Sequence, residues 1–444
     1  MKRYWKIILL GGVICVILLY SILNLVTGSI LRKTLAEMQA EGMPMTLEEI
    51  VPPAPDEADN AAGPLTEAFL GLSNGEGGGA EGYSFVEEVT DVLDDITFTG
   101  EASVFALNKE KLAALEEAMK APIFVENLAL LEQAAERPAC DFGLDYGLGP
   151  SLLLPHLSPI RHSVRLLGIR AALLSANGDF AAAVEDVERM LRISRHLQQE
   201  RTLISYLVLV ACDGISVACL NGVIAQCDVA LPEAEVTRLQ AELDWHRRHT
   251  NALLQDTIHG ERILFGGWCF EGLLSGKFGD KELDEAMAGD GHFATLAKLP
   301  IKPLFKLDYN AYLKIMRQCH KKSQLSYPEL VAAPETPLPP RYCIFSRMIV
   351  PSLDSVGKRS GQHESSLRIA QIGLSLHTHR HATGAYPETL QELGDAIINP
   401  ITLKPYTYSS SGSDYQLYSF GLDGKRGRPN QADDTIWRLT DSQE

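Results

Sequence analysis

The chain has almost none of the short signatures that carry a familiar catalytic mechanism. It has no Gly-x-Ser-x-Gly turn to expose a serine nucleophile, no Gly-x4-Gly-Lys-Ser/Thr loop to cradle phosphates and no His-Glu-x-x-His pair for zinc. No Cys-x-x-Cys occurs among its eight cysteines, so neither a zinc ribbon nor a thioredoxin-type centre is indicated. Cys15 lies in an apolar N-terminal run. The others are Cys140, Cys212, Cys219, Cys227, Cys269, Cys319 and Cys343, an odd set that leaves one unpaired even in an oxidising compartment. Cys212 and Cys219 stand two helical turns apart, too far for a disulfide. Buried small apolar side chains are the expected role. Positive charge is scarce as well: 40 Lys and Arg face 57 Asp and Glu, a formal charge of -17, with no Lys/Arg-rich stretch. Phosphate binding needs a basic footprint, so no nucleic-acid partner is expected.

One long apolar run is present. Ile7 to Val26 is twenty residues without a charge, about the length needed to cross the hydrocarbon core as a helix. Lys2, Arg3 and Lys6 precede it and Arg32 and Lys33 follow, a bias that favours N-in, C-out. The run exceeds the h-region of a signal peptide, and no Ala-x-Ala site follows. An uncleaved anchor is therefore expected over residues 1–33, with membrane contact through residues 7–26. A second apolar stretch, Leu203 to Ala225, carries Asp213 near its middle. A central aspartate costs roughly 2.5 to 3.5 kcal/mol to insert, so burial within a helical layer is expected instead.

Between them the pattern is helical. Residues 34–82 read as a linker region, with an acidic, proline-rich stretch at 51–63 and a glycine-rich one at 74–82. Short helices are expected at Pro64–Leu72 and Lys109–Ala121. A helical body is expected over 83–327. From Ser158-Pro159, a start signal, an apolar stripe runs to Ser175 and turns at Asn177-Gly178-Asp179. It resumes over Phe180–Gln198, a helix hairpin. Ala171, Gly178, Phe180 and Ala183 fall on tetratricopeptide-like positions in this one unit. Pro232–His259 reads as an amphipathic helix and Ile263–Gly279 as an apolar segment broken by glycines. In the former, His246-Arg247-Arg248-His249 reads as a solvated face. Residues 280–300 are acidic and irregular. Five prolines over 328–340 mark a linker into a final unit, 341–444.

That final unit reads as a helix from Ser365 to about His381, with Leu367, Ala370 and Leu374 on one stripe, stopped by Thr383-Gly384. Tyr386-Pro387-Glu388-Thr389-Leu390 starts a short second helix. Asn399-Pro400 to Pro405-Tyr406 is a turn-rich lead into a hairpin of Tyr406-Thr407-Tyr408 and Tyr415–Phe420. Gly421-Leu422-Asp423-Gly424 then loops to Asp433-Asp434-Thr435-Ile436-Trp437. This order of Tyr-Pro-x-Thr-Leu, Asn-Pro-x5-Pro-Tyr, Leu-Tyr-Ser-x-Gly-x-Asp-Gly and Asp-Asp resembles the C-terminal domain of type II secretion major pseudopilins, over about seventy residues. The resemblance implies a long helix packed on a small sheet. It also implies calcium in the last loop, with Asp423, Asp433 and Asp434 as ligands, hard oxygen donors that suit that cation. Lys425, Arg426 and Arg428 in the same loop offer those carboxylates cationic partners, so a salt-bridged surface loop stays open beside the metal site. The apolar N-terminal run has no glutamate, and more than 300 residues separate it from the tail. Processing and stacking as a standard pseudopilus subunit are therefore not expected. The block from Phe142 to about Gln226 is similar to large membrane-anchored proteins of planctomycete-type bacteria that end in such a tail.

His377 and His381, in His377-Thr378-His379-Arg380-His381, share a helix face at i, i+4, a spacing that can hold zinc. Polar and cationic residues also suit a helix C-terminus, and no third ligand stands out. The expectation is a mainly α chain with a terminal α+β unit, anchored once in a bacterial inner membrane with its bulk in the periplasm. It is expected to be non-catalytic and to bind protein partners in the envelope. The alternatives are a metal-dependent hydrolase, with His377 and His381 as ligands, and a periplasmic ligand-binding protein.

Overall fold

The first helix of the computed structural model, α1 (Lys2–Ala40), is a single rod of 39 residues that changes character midway. Ile7 to Val26 is exposed apart from the partly buried Tyr20 and Asn24, and is long and apolar enough to cross a membrane. From there Thr27, Leu31, Thr34 and Met38 recur on one face and are buried against α10 (Lys302–Ser323). The structure describes residues 2–73, 93, 96–98, 103–275, 301–349, 353–394, 398–411, 414–419 and 435–438. The glycine-rich stretch at 74–82, the acidic stretch at 280–300 and the loop carrying Asp423, Asp433 and Asp434 lie outside the described residues.

Two short helices, α2 (Ala62–Gly71) and α3 (Lys109–Ala118), fall close to the stretches predicted from sequence, followed by α4 (Pro122–Ala135). Stretch 51–63, expected to be without regular structure, holds a 3-10 turn at Glu57–Asp59 and the start of α2, and Asn60 Oδ1 accepts from the Ala62 and Asp141 backbone N–H groups at 3.0 and 2.8 Å. The predicted hairpin is α5 (Leu157–Ala176) and α6 (Phe180–Arg195), joined through Gly178 at φ +82°. A left-handed φ is cheap only for glycine, which is why the turn sits there. The start signal is offset, because α5 begins before Ser158 with no side-chain cap.

Helix α7 (Leu203–Gln226) is the apolar stretch with Asp213 in its middle. Half of its apolar window is buried, wedged between the α5–α6 hairpin on one side and α8 (Glu233–Gly260) and α13 (Leu353–Thr383) on the other. Burial in a helical layer is thus the role it plays. After α8 the chain passes through a π-helical turn, Glu261–Gly267, into α9 (Trp268–Ser275). Two short helices, α11 (Tyr327–Ala332) and α12 (Ile344–Ile349), precede α13. Ser326 and Glu329 form a capping box on α11, satisfying N–H groups that its first turn leaves open.

Helix α13 starts well before Ser365. Beyond it, a short 3-10 turn at Leu390–Leu393 leads to a three-stranded antiparallel sheet, β1 (Thr407–Ser410), β2 (Tyr415–Ser419) and β3 (Thr435–Arg438), in the order β1-β2-β3. Leu417 of β2 and Leu367, Ala370 and Leu374 of α13 are fully buried in one cluster with the α5–α8 core. Tyr406 Oη donates to the Ser365 carbonyl at 3.2 Å, tying the sheet to the helix. The chain is therefore mainly helical with a small antiparallel sheet, and one apolar core continues from the body into the tail. A second buried cluster gathers α1, α9, α10 and α12 around Phe270, Tyr312 and Phe345. No disulfide joins the eight cysteines, and the seven outside α1 are buried, as expected for small apolar side chains.

Candidate functional site: a sealed polar knot and a cavity beside α1

His377 and His381 lie one turn apart on α13, with ring centroids 4.5 Å apart. His377 Nε2 donates to the Val229 carbonyl at 3.1 Å, while its Nδ1 is buried without a hydrogen-bond partner. Burial keeps this imidazole neutral, with its pKa lowered to about 4. Among the described residues, no group of three or more His, Cys, Asp and Glu side chains could hold a metal ion.

The structure assembles polar groups that the sequence did not join. Asp213, at the centre of α7, accepts from Ser194 Oγ on α6, from His246 Nδ1 on α8 at 2.8 Å and from His363 Nε2 on α13 at 2.8 Å. His246 Nε2 lies 3.1 Å from the Leu191 carbonyl and 3.6 Å from Glu242. Carboxylate and carbonyl oxygens only accept, so His246 bears a proton on both nitrogens and pairs with Asp213 as an imidazolium. The solvated face read for His246-Arg247-Arg248-His249 is thus wrong for His246, whose side chain is fully buried. The signal was available: Leu239, Leu243, His246, Thr250 and Leu254 form the buried stripe of α8, at helical spacing.

Serine, histidine and aspartate together suggest a nucleophilic triad, but the roles do not fit. Ser194 donates to the aspartate, not to the histidine, and the Ser194, Asp213 and His246 side chains have no solvent exposure a substrate could use. The cluster is a knot that ties α6, α7, α8 and α13 together. Burial opposes the charge on both partners. Even so, Asp213 and Glu242 raise His246 to about 9 from its ordinary 6.5, and His246 and His363 hold the Asp213 carboxyl well below the usual carboxylate range. A raised histidine stabilises the fold fully below its unfolded pKa and loses that contribution as pH climbs through the folded value. From pH 6.5 to 9, the unfolding free energy is therefore expected to decline by about 2 to 3 kcal/mol through this group. Urea titrations across that range would show His246→Gln removing most of the slope.

A second buried pair joins His156 Nε2 and Glu200 Oε1 at 2.6 Å, with Phe142 stacked on the imidazole at 4.2 Å. Glu200 also accepts from Ser205 Oγ in the first turn of α7. This pair too is buried, bracing the start of α7 against the loop before α5.

An accessible space lies elsewhere. A cavity of about 570 Å³ opens between α1, the π-helical turn and α9, lined among others by Leu31, Leu35, Arg262, Trp268, Glu271 and Tyr309. Its volume falls in the range of sites for one small molecule, and π-helical turns recur at functional sites. Two close approaches accompany the turn. A Cβ on Gly260 would stand 1.7 Å from the Arg201 carbonyl oxygen, and one on Gly266 would stand 2.0 Å from the Tyr312 ring. Tyr312 Oη donates to the Glu261 carbonyl at 3.1 Å. The Glu261 side chain accepts from the Leu203 N–H at 2.7 Å, and burial raises its pKa to about 7. Arg262 is 4% exposed, donates to the Pro44 carbonyl, and has no carboxylate at ion-pair distance among the described residues. Burial lowers its pKa. No model of a protein family, no curated protein and no solved structure matches this chain.

Proposed function

We propose that the protein is a membrane-tethered binding platform of a bacterial envelope. In this reading the apolar part of α1 remains uncleaved in the inner membrane, and the helical body and tail stand outside the cytoplasm and engage protein partners. The observation that carries the reading is the way α1 is built into the body across the end of its apolar run. Lys306 Nζ donates to Asn24 Oδ1 at 2.8 Å, inside the run, and Thr34 Oγ1 donates to Asn310 Oδ1 at 2.6 Å beyond it. Arg317 then pairs with Glu37 at 2.8 Å and with Glu41. Cleavage near Val26 would discard the first contact and leave an exposed new terminus on a helix that the core needs. The packing of α13 on an antiparallel sheet supports the likeness of the tail to pseudopilins. Calcium at Asp423, Asp433 and Asp434 belongs to the same reading.

N-terminal sequencing of the full-length protein from membranes, with a phosphatase or fluorescent reporter after Glu444, tests it. The expected result is an intact start at Met1 or Lys2, membrane fractionation and phosphatase activity. A mature terminus beyond Val26, or fluorescence confined to the inner side, would overturn it. Deleting residues 341–444 is a poor test of partner binding, because Leu367, Leu374 and Leu417 belong to the shared core. Photocrosslinkers at the exposed β1 positions Thr407 and Ser409 leave that core intact. A second reading, a ligand-binding protein, is favoured by the cavity beside α1.

A further inference from the structure

The cavity sits at a particular height on α1, granted the membrane reading above. Leu31 and Leu35 lie five and nine residues beyond Val26, so on a helix along the bilayer normal they stand about 7 and 13 Å above the hydrocarbon edge. The polar layer of one leaflet is about 5 to 8 Å deep. The cavity therefore begins within the headgroups and rises just clear of them.

Its lining is of three kinds. Leu31, Leu35 and Leu274 give an apolar wall. Arg262 is a buried guanidinium with no carboxylate at ion-pair distance among the described residues, only Glu49 acting on it from farther off, and Glu48 and Glu271 bring carboxylates into the same space. A buried guanidinium left without a counter-ion costs several kcal/mol, and its planar fork of donors matches a phosphate. A purely anionic headgroup would answer Arg262 but crowd the two carboxylates. An uncharged amphiphile would leave Arg262 unanswered.

We propose that this cavity binds one zwitterionic phospholipid, with its phosphate on Arg262, its amine toward Glu271 and Glu48, and its glycerol and first chain carbons against Leu31, Leu35 and Leu274. Bound this way, a lipid completes the joint between anchor and body.

The test uses the full-length chain reconstituted in vesicles of equal phosphatidylethanolamine and phosphatidylglycerol, then extracted in mild detergent for native mass spectrometry. The expected result is one retained phosphatidylethanolamine per chain, favoured about tenfold over phosphatidylglycerol. Arg262 also holds the Pro44 carbonyl, so its replacement tests folding as much as binding. Two milder variants keep the proposal exposed. Glu271→Gln, at an exposed position, is expected to erase the preference for the amine-bearing lipid. Leu35→Trp fills the space and is expected to abolish retention. Retention of no lipid, equal or better retention of phosphatidylglycerol, or retention indifferent to Leu35→Trp overturns the proposal. A chain that stays in the vesicles yet carries no lipid does so while leaving the anchor reading intact. A chain found truncated after Val26 and free of the vesicles defeats both.

Discussion

Replacing Asp213 with alanine is expected to lower the unfolding free energy by about 3 to 5 kcal/mol, the range for breaking a buried charged pair. The substitution orphans two donors at once, His246 Nδ1 and His363 Nε2, neither with access to water that could replace the lost acceptor, while Ser194 Oγ falls back on the Leu191 carbonyl at 3.1 Å. Each unsatisfied buried donor costs about 1 to 3 kcal/mol, and they do not simply add, because both histidines can surrender a proton. Asp213→Asn keeps an acceptor and the volume while removing the charge, so its loss should be smaller. The double variant Asp213→Ala, His246→Ala should fall short of the sum of the single ones, since the two share one interaction. Trp245, whose ring lies 5.0 Å from that of His246, reports the unfolding in urea. Because His363 is the α13 partner of the knot, limited proteolysis should also release the C-terminal helix first in the alanine variant. A loss below about 1 kcal/mol would mean that the apolar layer alone holds α7 in place.

How far the sequence disclosed this arrangement depends on the distance over which the information is local. The α5–α6 hairpin was legible because its glycine turn and apolar period lie within forty residues. The central burial of α7 was legible because an aspartate in an apolar helix is costly in lipid and affordable only with partners. The partners themselves were not: His246 and His363 lie 33 and 150 positions away, and only packing brings them together. His246 was misplaced because it sits in a run of four polar residues, where composition suggests a solvated face. The phase of the apolar stripe on α8 says otherwise. The π-helical turn was invisible for another reason. Gly266 looked like a break in an apolar segment, whereas it lets the Tyr312 ring approach from a distant element, as Gly260 just before the turn lets the Arg201 backbone approach. The cavity follows from that turn and from α1, and neither element encodes it alone.

Gly260→Ala is expected to cost about 3 kcal/mol or more, at the upper end for overpacking. An ideal Cβ there would stand 1.7 Å from the Arg201 carbonyl oxygen and 2.7 Å from its carbon, so the obstruction is backbone and no rotamer relieves it. The Arg201 segment is itself pinned: its guanidinium donates to the Ile50 carbonyl at 2.9 Å and the Gln198 carbonyl at 2.8 Å. Room for a methyl group can come only from parting the start of α7 from the π-helical turn. That motion would break the bond from Leu203 N–H to Glu261 and shift Arg262, so the cavity should change shape along with stability. Gly214→Ala is the control. That glycine lies on the exposed side of α7 with no atom within 4 Å of its Cβ position, so alanine should stabilise the helix by roughly 0.5 to 1 kcal/mol. Opposite signs at two helical glycines, read from thermal melts of the full-length chain, would show that contact with Arg201 decides the outcome at Gly260. Equal and small effects would mean that the turn keeps its π register without that contact. The cavity would then be a property of the local chain and not of the packing between α7 and the anchor-side elements.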